Sequence, residues 1–365
     1  MEIIQFKEAN CKGCYKCIRN CEIKAIKFSN DQARILDNEC IFCGKCTLVC
    51  PQNAKVINSD LSITKKLISD GYDVYVSLAP SYVAEFPDVS FSRISASIKK
   101  LGFKGVEETA IGATMVSKKY AELMKQHKMK NIITTCCPTV NLLVEKYYPE
   151  LVPFLAPVVT PLTAHAKAIK NTYGENSKVV FIGPCISKKY EASLGKNIDT
   201  VLMFNELKDW LEHENISFSD EDTDVSEMEN TISRFYPVPS GIINTIPEDI
   251  RKNYKTFAID GLDRCIEILE SLKSEETEGF FIEMNSCSGS CVKGPGMSQP
   301  LGSLLKSKDL VLKNVNRATA TLPPETEKAL PDMSKTFDLT LVKDKIPDEN
   351  TITAILSSIG KYTEK

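Results

Sequence analysis

Glu283-Met-Asn-Ser-Cys-Ser-Gly-Ser-Cys-Val-Lys-Gly-Pro-Gly296 is the stretch from which the rest of the chain can be read. It holds Cys287 and Cys291 in a Cys-x3-Cys spacing. An apolar, strand-like run over residues 279–284 leads into it, and Gly294 and Gly296 behind it permit close backbone approach. Two thiolates at a strand end, wrapped in Gly and Ser, face one bulky object, and two ligands do not complete a site. The partners we assign are Cys137, in Thr134-Thr-Cys-Cys-Pro138, and Cys185, in Gly183-Pro-Cys-Ile-Ser-Lys-Lys-Tyr-Glu191. Only a folded α/β core brings positions so far apart in sequence together.

With 365 residues, 42% hydrophobic and 25% charged, the chain is long enough for a large core plus a smaller domain. A net charge of −3 with scattered Lys and Arg leaves no nucleic-acid footprint. No apolar run is long enough to span a bilayer, and the start, Met1-Glu-Ile-Ile-Gln-Phe-Lys7, lacks the layout of a secretory signal. The expected compartment is the cytoplasm. Fourteen cysteines in a chain of this length point to metal ligation in a reducing environment rather than to a disulfide scaffold.

Eight of those cysteines fall between residues 11 and 50. Residues 11–21 read C-x2-C-x2-C-x3-C, and residues 40–50 repeat the spacing with Pro51 behind it. This is the doubled pattern of two-cluster bacterial ferredoxins. It assigns Cys11, Cys14, Cys17 and Cys50 to one 4Fe–4S cube, and Cys40, Cys43, Cys46 and Cys21 to another. Two structural zinc sites are the alternative, although zinc usually takes two ligand pairs with a longer gap. Glu22 stands where the pattern usually has Pro, which removes no ligand.

After residue 60 an α/β rhythm begins, and a boundary near residue 65 divides a ferredoxin-like domain (1–64) from a larger one (65–365). Strands are expected over 73–78, 131–135, 178–183, 256–260 and 280–284. Helices are expected over 94–101, 111–127, 140–148, 162–173, 205–214 and 262–272, with a terminal amphipathic helix over 351–362. The acidic run 220–229 reads as a solvated loop, and residues 305–347 as a Pro- and charge-rich tail with weak periodicity. Alternating strands and helices imply parallel sheets, with sites at the C-terminal ends of strands. There is no GxGxxG or P-loop pattern.

Behind the two-cluster head, three motifs in order give the chain its resemblance to the FeFe-hydrogenases over residues 1 to about 300. That family shows Thr-Ser-Cys-Cys-Pro, Pro-Cys-x-x-Lys-Lys-x-Glu and Cys-Pro-Gly-Gly-Cys segments. Thr134 to Pro138, Pro184 to Glu191, and Cys287 to Cys291 stand at those places. The resemblance implies a two-lobed catalytic domain with parallel sheets and an H-cluster. In that cofactor a third 4Fe–4S cube is joined to a di-iron subcluster carrying CO, cyanide and azadithiolate, which separate maturation proteins build. By motif position Cys137, Cys185, Cys287 and Cys291 would hold the cube, with Cys291 bridging. Lys188 would face one cyanide, and Pro80 and Ser81 the other. Gly183 and Asn285 would lie beside the di-iron ligands. Cys136, a thiol whose ordinary pKa lies near neutrality, would pass protons. Read alone, Lys188 would be a surface lysine, Cys136 a small core residue, Cys265 core, His127 and His213 exposed, His165 core or solvent-facing, and Trp210 packing.

The departures from the family pattern matter for function. Gly183 and Asn285 replace methionines of prototypical members, Gly294-Pro-Gly-Met297 replaces Gly-Gly-Gly-Gln, and Lys119 and Tyr120 stand near an expected proton-relaying acid. Ligands kept while the surrounding shell and relay change resemble the sensory branch of the family. The expected activity is the interconversion of protons and H2, slow and serving H2 sensing or regulation. Electrons would come from a redox partner such as ferredoxin, and a signal would pass to a signalling protein. In a faster enzyme the protons would move by another route, through Glu191 or Tyr120. The rival reading is a hydrogenase-related iron–sulfur assembly factor, scaffold or electron carrier without di-iron chemistry. Lys188, Pro80, Ser81 and Cys136 argue against it, because a plain cube needs none of them.

Overall fold

Lys178-Val-Val-Phe-Ile-Gly183 forms a strand whose last five residues are all buried, the pattern of a parallel strand covered on both faces. It sits within a chain whose computed structural model describes residues 3–195, 197–218, 232–274, 276–298, 302–315, 322–328, 330–339, 342 and 349–361. The expected acidic loop 220–229 lies outside the described residues. In chain order the strands are β1 (Ile4–Phe6), β2 (Ile26–Ser29), β3 (Gln32–Ile35), β4 (Lys55–Ile57), β5 (Val74–Leu78), β6 (Gly105–Glu108), β7 (Ile132–Ile133), β8 (Lys178–Gly183), β9 (Thr200–Met203), β10 (Lys255–Asp260) and β11 (Phe280–Asn285).

Two parallel sheets carry the larger part of the chain, one in the order β6-β5-β8-β9 and one in the order β10-β11-β7. The fold is α/β, as the alternation implied. Before them, β1 pairs antiparallel with β4, and β2 with β3. The β2–β3 turn uses Asn30 and Asp31, both at positive φ, the geometry that matches the twist of a two-residue hairpin.

Helix ends follow local chemistry. Ser90 caps the helix Phe91–Lys100 through the Arg93 N–H, and Thr160 caps Pro161–Tyr173 through the Thr163 N–H, with Pro161 at the first helical position. The helix Ala110–Gln126 packs against Pro161–Tyr173 and is buried on every side through its first two turns. Several elements go beyond the sequence reading. β6 and β9 were not foreseen, and β7 has two residues rather than five. The helix Leu304–Lys313, in a region read as weakly periodic, forms because Ser303 caps it and Val311 enters the core. The expected boundary at 64/65 falls inside the helix Leu61–Ser69. Among the described residues no helix is long and apolar enough to cross a membrane.

Three large apolar cores result, one around each sheet and a third in which Ile41 and Phe42 of the cysteine-rich head pack with the helices Pro138–Tyr147 and Leu262–Ser274. One buried ion pair ties the lobes: Arg234 holds the Glu108 carboxylate at the end of β6 with two hydrogen bonds, and both side chains are nearly inaccessible. Glu108→Gln would leave a buried guanidinium without its counter-charge. The expected loss is about 3–5 kcal/mol, read as a lowered thermal midpoint of the cluster-loaded protein.

Candidate metal centre

Cys136 and Cys137 follow β7, Cys185 follows β8, and Cys287 follows β11, so the strand ends of both sheets deliver thiols to one place. Cys291 joins them from the short turn Cys291–Lys293. One cavity is lined by Cys136, Cys137, Cys185, Cys287, Cys291, Pro80, Ser81, Lys188 and Asn285, among apolar residues such as Ala113, Leu162 and Phe181. The loop behind Cys291 lies directly on the loop before Cys185. Gly296 N–H donates to the Pro184 carbonyl at 2.8 Å, and a Cβ on Gly294 would come within 2.9 Å of Pro184 Cβ.

Burial pushes the Cys287 thiol well above its ordinary value, and the neighbouring Cys185, Cys137 and Cys291 push it further. Cys185 and Cys291 are raised for the same two reasons. Thiols that cannot ionise unaided ionise when a metal takes the proton's place. Burial would also lower Lys188, but Glu191, 2.6 Å away, outweighs it and holds the ammonium above its usual range. The Glu191 carboxylate is lowered despite burial, by Lys188 and by hydroxyls of Thr160 and Thr163. The cavity therefore carries one fixed cation. The buried Ser81 and Ser290 hydroxyls on its wall have no hydrogen-bond partner among the described residues. Orphan donors beside a lysine suit a polar or anionic group inside the cavity.

The head supplies two further thiol groups. Cys11, Cys14, Cys17 and Cys50 line one small cavity with Lys55. Cys43 lies within electrostatic reach of Cys21, and Cys46 of Cys43, Cys40 and Cys21. Cys14 is exposed, whereas burial raises Cys40 to about 12 and Cys43 to about 11. Cys43 and Phe42 also line the central cavity. The contact is close because Gly44, at positive φ, lies under Pro295; a Cβ there would be 2.7 Å from the proline ring. Lys146 and Tyr147 hold the Cys40 and Glu39 carbonyls at 2.8 Å. The order of burial runs from the surface at Cys14 to the central cavity at Cys43.

A family described as "Iron only hydrogenase large subunit, C-terminal domain" matches residues 72–295. The chain belongs to this family. A 4Fe-4S dicluster domain matches residues 3–59. Iron hydrogenase 1 of Clostridium pasteurianum is 24% identical over 331 residues, covering 74% of this chain and 57% of that protein. The chain thus spans little more than half of that relative. The periplasmic [Fe] hydrogenase large subunit of Nitratidesulfovibrio vulgaris is 25% identical over 317 residues, covering 70% of this chain and 72% of that protein. A variant of [FeFe]-hydrogenase HydA1 from Chlamydomonas reinhardtii superposes with a TM-score of 0.60 at 15% identity, covering 78% of this chain and all of that one. At that identity the superposition speaks for the iron-only hydrogenase fold.

Gly183 does not itself line the cavity, but a Cβ there would be 2.5 Å from the Phe181 ring and 2.9 Å from Ala79 Cβ, both of which do. Cys136 is not near neutrality, since burial pushes it up to about 12 and it keeps its proton. The position read as a departure from the relay carries Tyr120, whose hydroxyl is 3.3 Å from Cys136 Sγ and accepts the Thr135 N–H at 2.8 Å. Cys265, His165 and Trp210 are buried, and His127 and His213 are exposed.

Sequence reasoning missed Glu283, which alternates with Met284 on β11 and gave no signal beyond its place in an apolar run. Its Oε2 accepts the Ile242 and Ile243 N–H groups at 3.0 Å, and Asn285 Nδ2 lies 3.4 Å from Oε1. Burial raises its pKa to about 7 against these hydrogen bonds. A carboxyl raised in the folded state binds its proton more tightly than the unfolded chain does, so stability falls as pH rises from about 4.5 to about 7. Glu283→Gln should remove that slope, on the order of 3 kcal/mol, measured as the thermal midpoint against pH.

Proposed function

We propose that the chain interconverts protons and H2 at an H-cluster fed by the cubes of its head, at modest turnover and in an H2-sensing or regulatory role. The observation that carries this is the cavity in which four part-buried thiols meet Lys188 and two serine hydroxyls without a hydrogen-bond partner among the described residues. Cys137, Cys185, Cys287 and Cys291 would hold the cube, and Lys188, Ser81 and Pro80 would face the di-iron ligands. When bound, the group supplies the redox chemistry of H2 formation and cleavage. The chain's residues do the rest. Lys188, pinned by Glu191, offers a charge-assisted donor to an anionic ligand. The apolar wall excludes water and strengthens that contact. Cys136 keeps a proton at Sγ beside the site and exchanges hydrogen bonds with Tyr120.

In this reading residues 1–64 are the electron-entry domain, and residues 65–365 form the two-lobed catalytic domain with its tail. Cys11, Cys14, Cys17 and Cys50 hold the outer cube, and Cys21, Cys40, Cys43 and Cys46 the inner one, for three cubes in all. A ferredoxin-like partner would meet the exposed edge at Cys14. A bare scaffold for a cube explains neither Lys188 nor the two serines. Slow turnover is supported by Tyr120, which stands beside Cys136 near the place where the family pattern has an acid.

The test uses anaerobic protein with reconstituted cubes, incubated with a synthetic di-iron precursor and assayed for H2 evolution from a reduced viologen. Finite evolution is expected, falling by at least about a hundredfold in Lys188→Met. No evolution from protein shown to hold all its iron would overturn the reading.

A further inference from the structure

β5 and β6 run parallel with Ser77 opposite Glu107, so the two side chains share one face of the sheet. The helix Pro161–Tyr173 lies over that face. Gly112 lets it approach, because a Cβ there would overlap the Pro161 carbonyl oxygen and lie 2.9 Å from His165 Cβ. That glycine lies on the helix Ala110–Gln126 and sets the close approach of the two helices; His165 itself sits between the two strand residues, with Nδ1 2.9 Å from Ser77 Oγ and Nε2 2.9 Å from Glu107 Oε2. About two helical turns further on, Tyr173 stacks on Tyr75 of β5 and donates its hydroxyl to Glu107 Oε1 at 2.7 Å. At the other end Ser77 Oγ is 2.7 Å from Thr109 Oγ1, and Thr109 lines the cysteine cavity. Exposure rises along the series: Ser77 and His165 are fully buried, the Glu107 side chain is 26% exposed and Tyr173 is 46% exposed.

We propose that Thr109, Ser77, His165 and Glu107 form a proton relay between the cysteine cavity and solvent, with Tyr173 at its mouth. The inference rests on the hydrogenase reading above. Each inward transfer takes one proton from solvent at Glu107 and releases one at Thr109. Glu107 passes a proton to His165 Nε2, Nδ1–H passes one to Ser77 Oγ, and the serine's own proton moves to Thr109 Oγ1, whose proton enters the cavity. Charge and atoms are conserved at every hop, and no electron moves.

The rival routes stop short. The Cys136–Tyr120 contact leads to Thr135, whose hydroxyl donates to the Val158 carbonyl within the core. Lys188 and Glu191 hold each other in their charged forms and act as fixed charges. Glu283 is bonded to the buried 242–243 backbone. Packing alone accounts for a satisfied histidine, but not for a hydrogen-bonded chain with one end in the cavity and the other in water.

The experiment uses the full chain with its cubes, loaded with the synthetic di-iron precursor, and follows the CO and cyanide infrared bands after a pH jump without turnover. His165→Gln and Glu107→Gln keep hydrogen-bonding capacity and remove proton transfer. Both are expected to leave the final band positions as in the parent and to slow the relaxation at least about tenfold, with a larger D2O effect on H2 evolution. Unchanged relaxation in both variants would overturn the relay. Loss of the bands in both, with the parent loaded, would also overturn it, by showing a structural role. Should the parent itself show no protein-shifted bands, the hydrogenase reading fails first and the relay falls with it.

Discussion

Burial and mutual proximity raise the Cys185, Cys287 and Cys291 thiols together, and a group that takes the place of their protons would relieve that cost. Cys137, Cys185 and the Cys287/Cys291 pair come from three separate segments, and no local motif could bring all of them together. Two parallel sheets do, by ending β7, β8 and β11 at one point. The tight loop contacts at Gly294 and Gly296 then set the last two thiols against the third. Desolvation makes the empty set unfavourable as thiolates, and the same desolvation makes a bound cationic cluster strongly held.

That constraint shapes the surroundings. Lys188 is tolerated at the cavity because Glu191 pairs with it, and the Thr160 and Thr163 hydroxyls hold that carboxylate in turn. In the head Cys14 is exposed and Cys43 lies on the cavity wall, and the Gly44–Pro295 contact brings the head against the loop behind Cys291. The proton relay we propose would use other elements, the β5–β6 edge and the helix laid over it.

Much of this was legible in the sequence because cysteine spacing is rigid chemistry. The doubled C-x2-C-x2-C-x3-C run and the three core motifs placed every thiol group, and β8 was read to the residue because its apolar run is unbroken. What was not legible depends on tertiary contact. β6 is Gly-Val-Glu-Glu, a poor strand by propensity, and it exists through pairing with β5. The site's finer chemistry was hidden for the same reason. His165 looked like a core residue, Glu283 like an interruption in a strand, and Cys136 like an ordinary thiol. Burial and neighbours decide all three, and neither is written locally.

The most direct test of the central claim is infrared spectroscopy of the anaerobic, cube-reconstituted protein after incubation with a synthetic di-iron precursor. The account predicts CO and cyanide bands shifted from those of the free precursor and changing again under H2. Bands of free precursor alone, with the cubes shown to be intact, would contradict it.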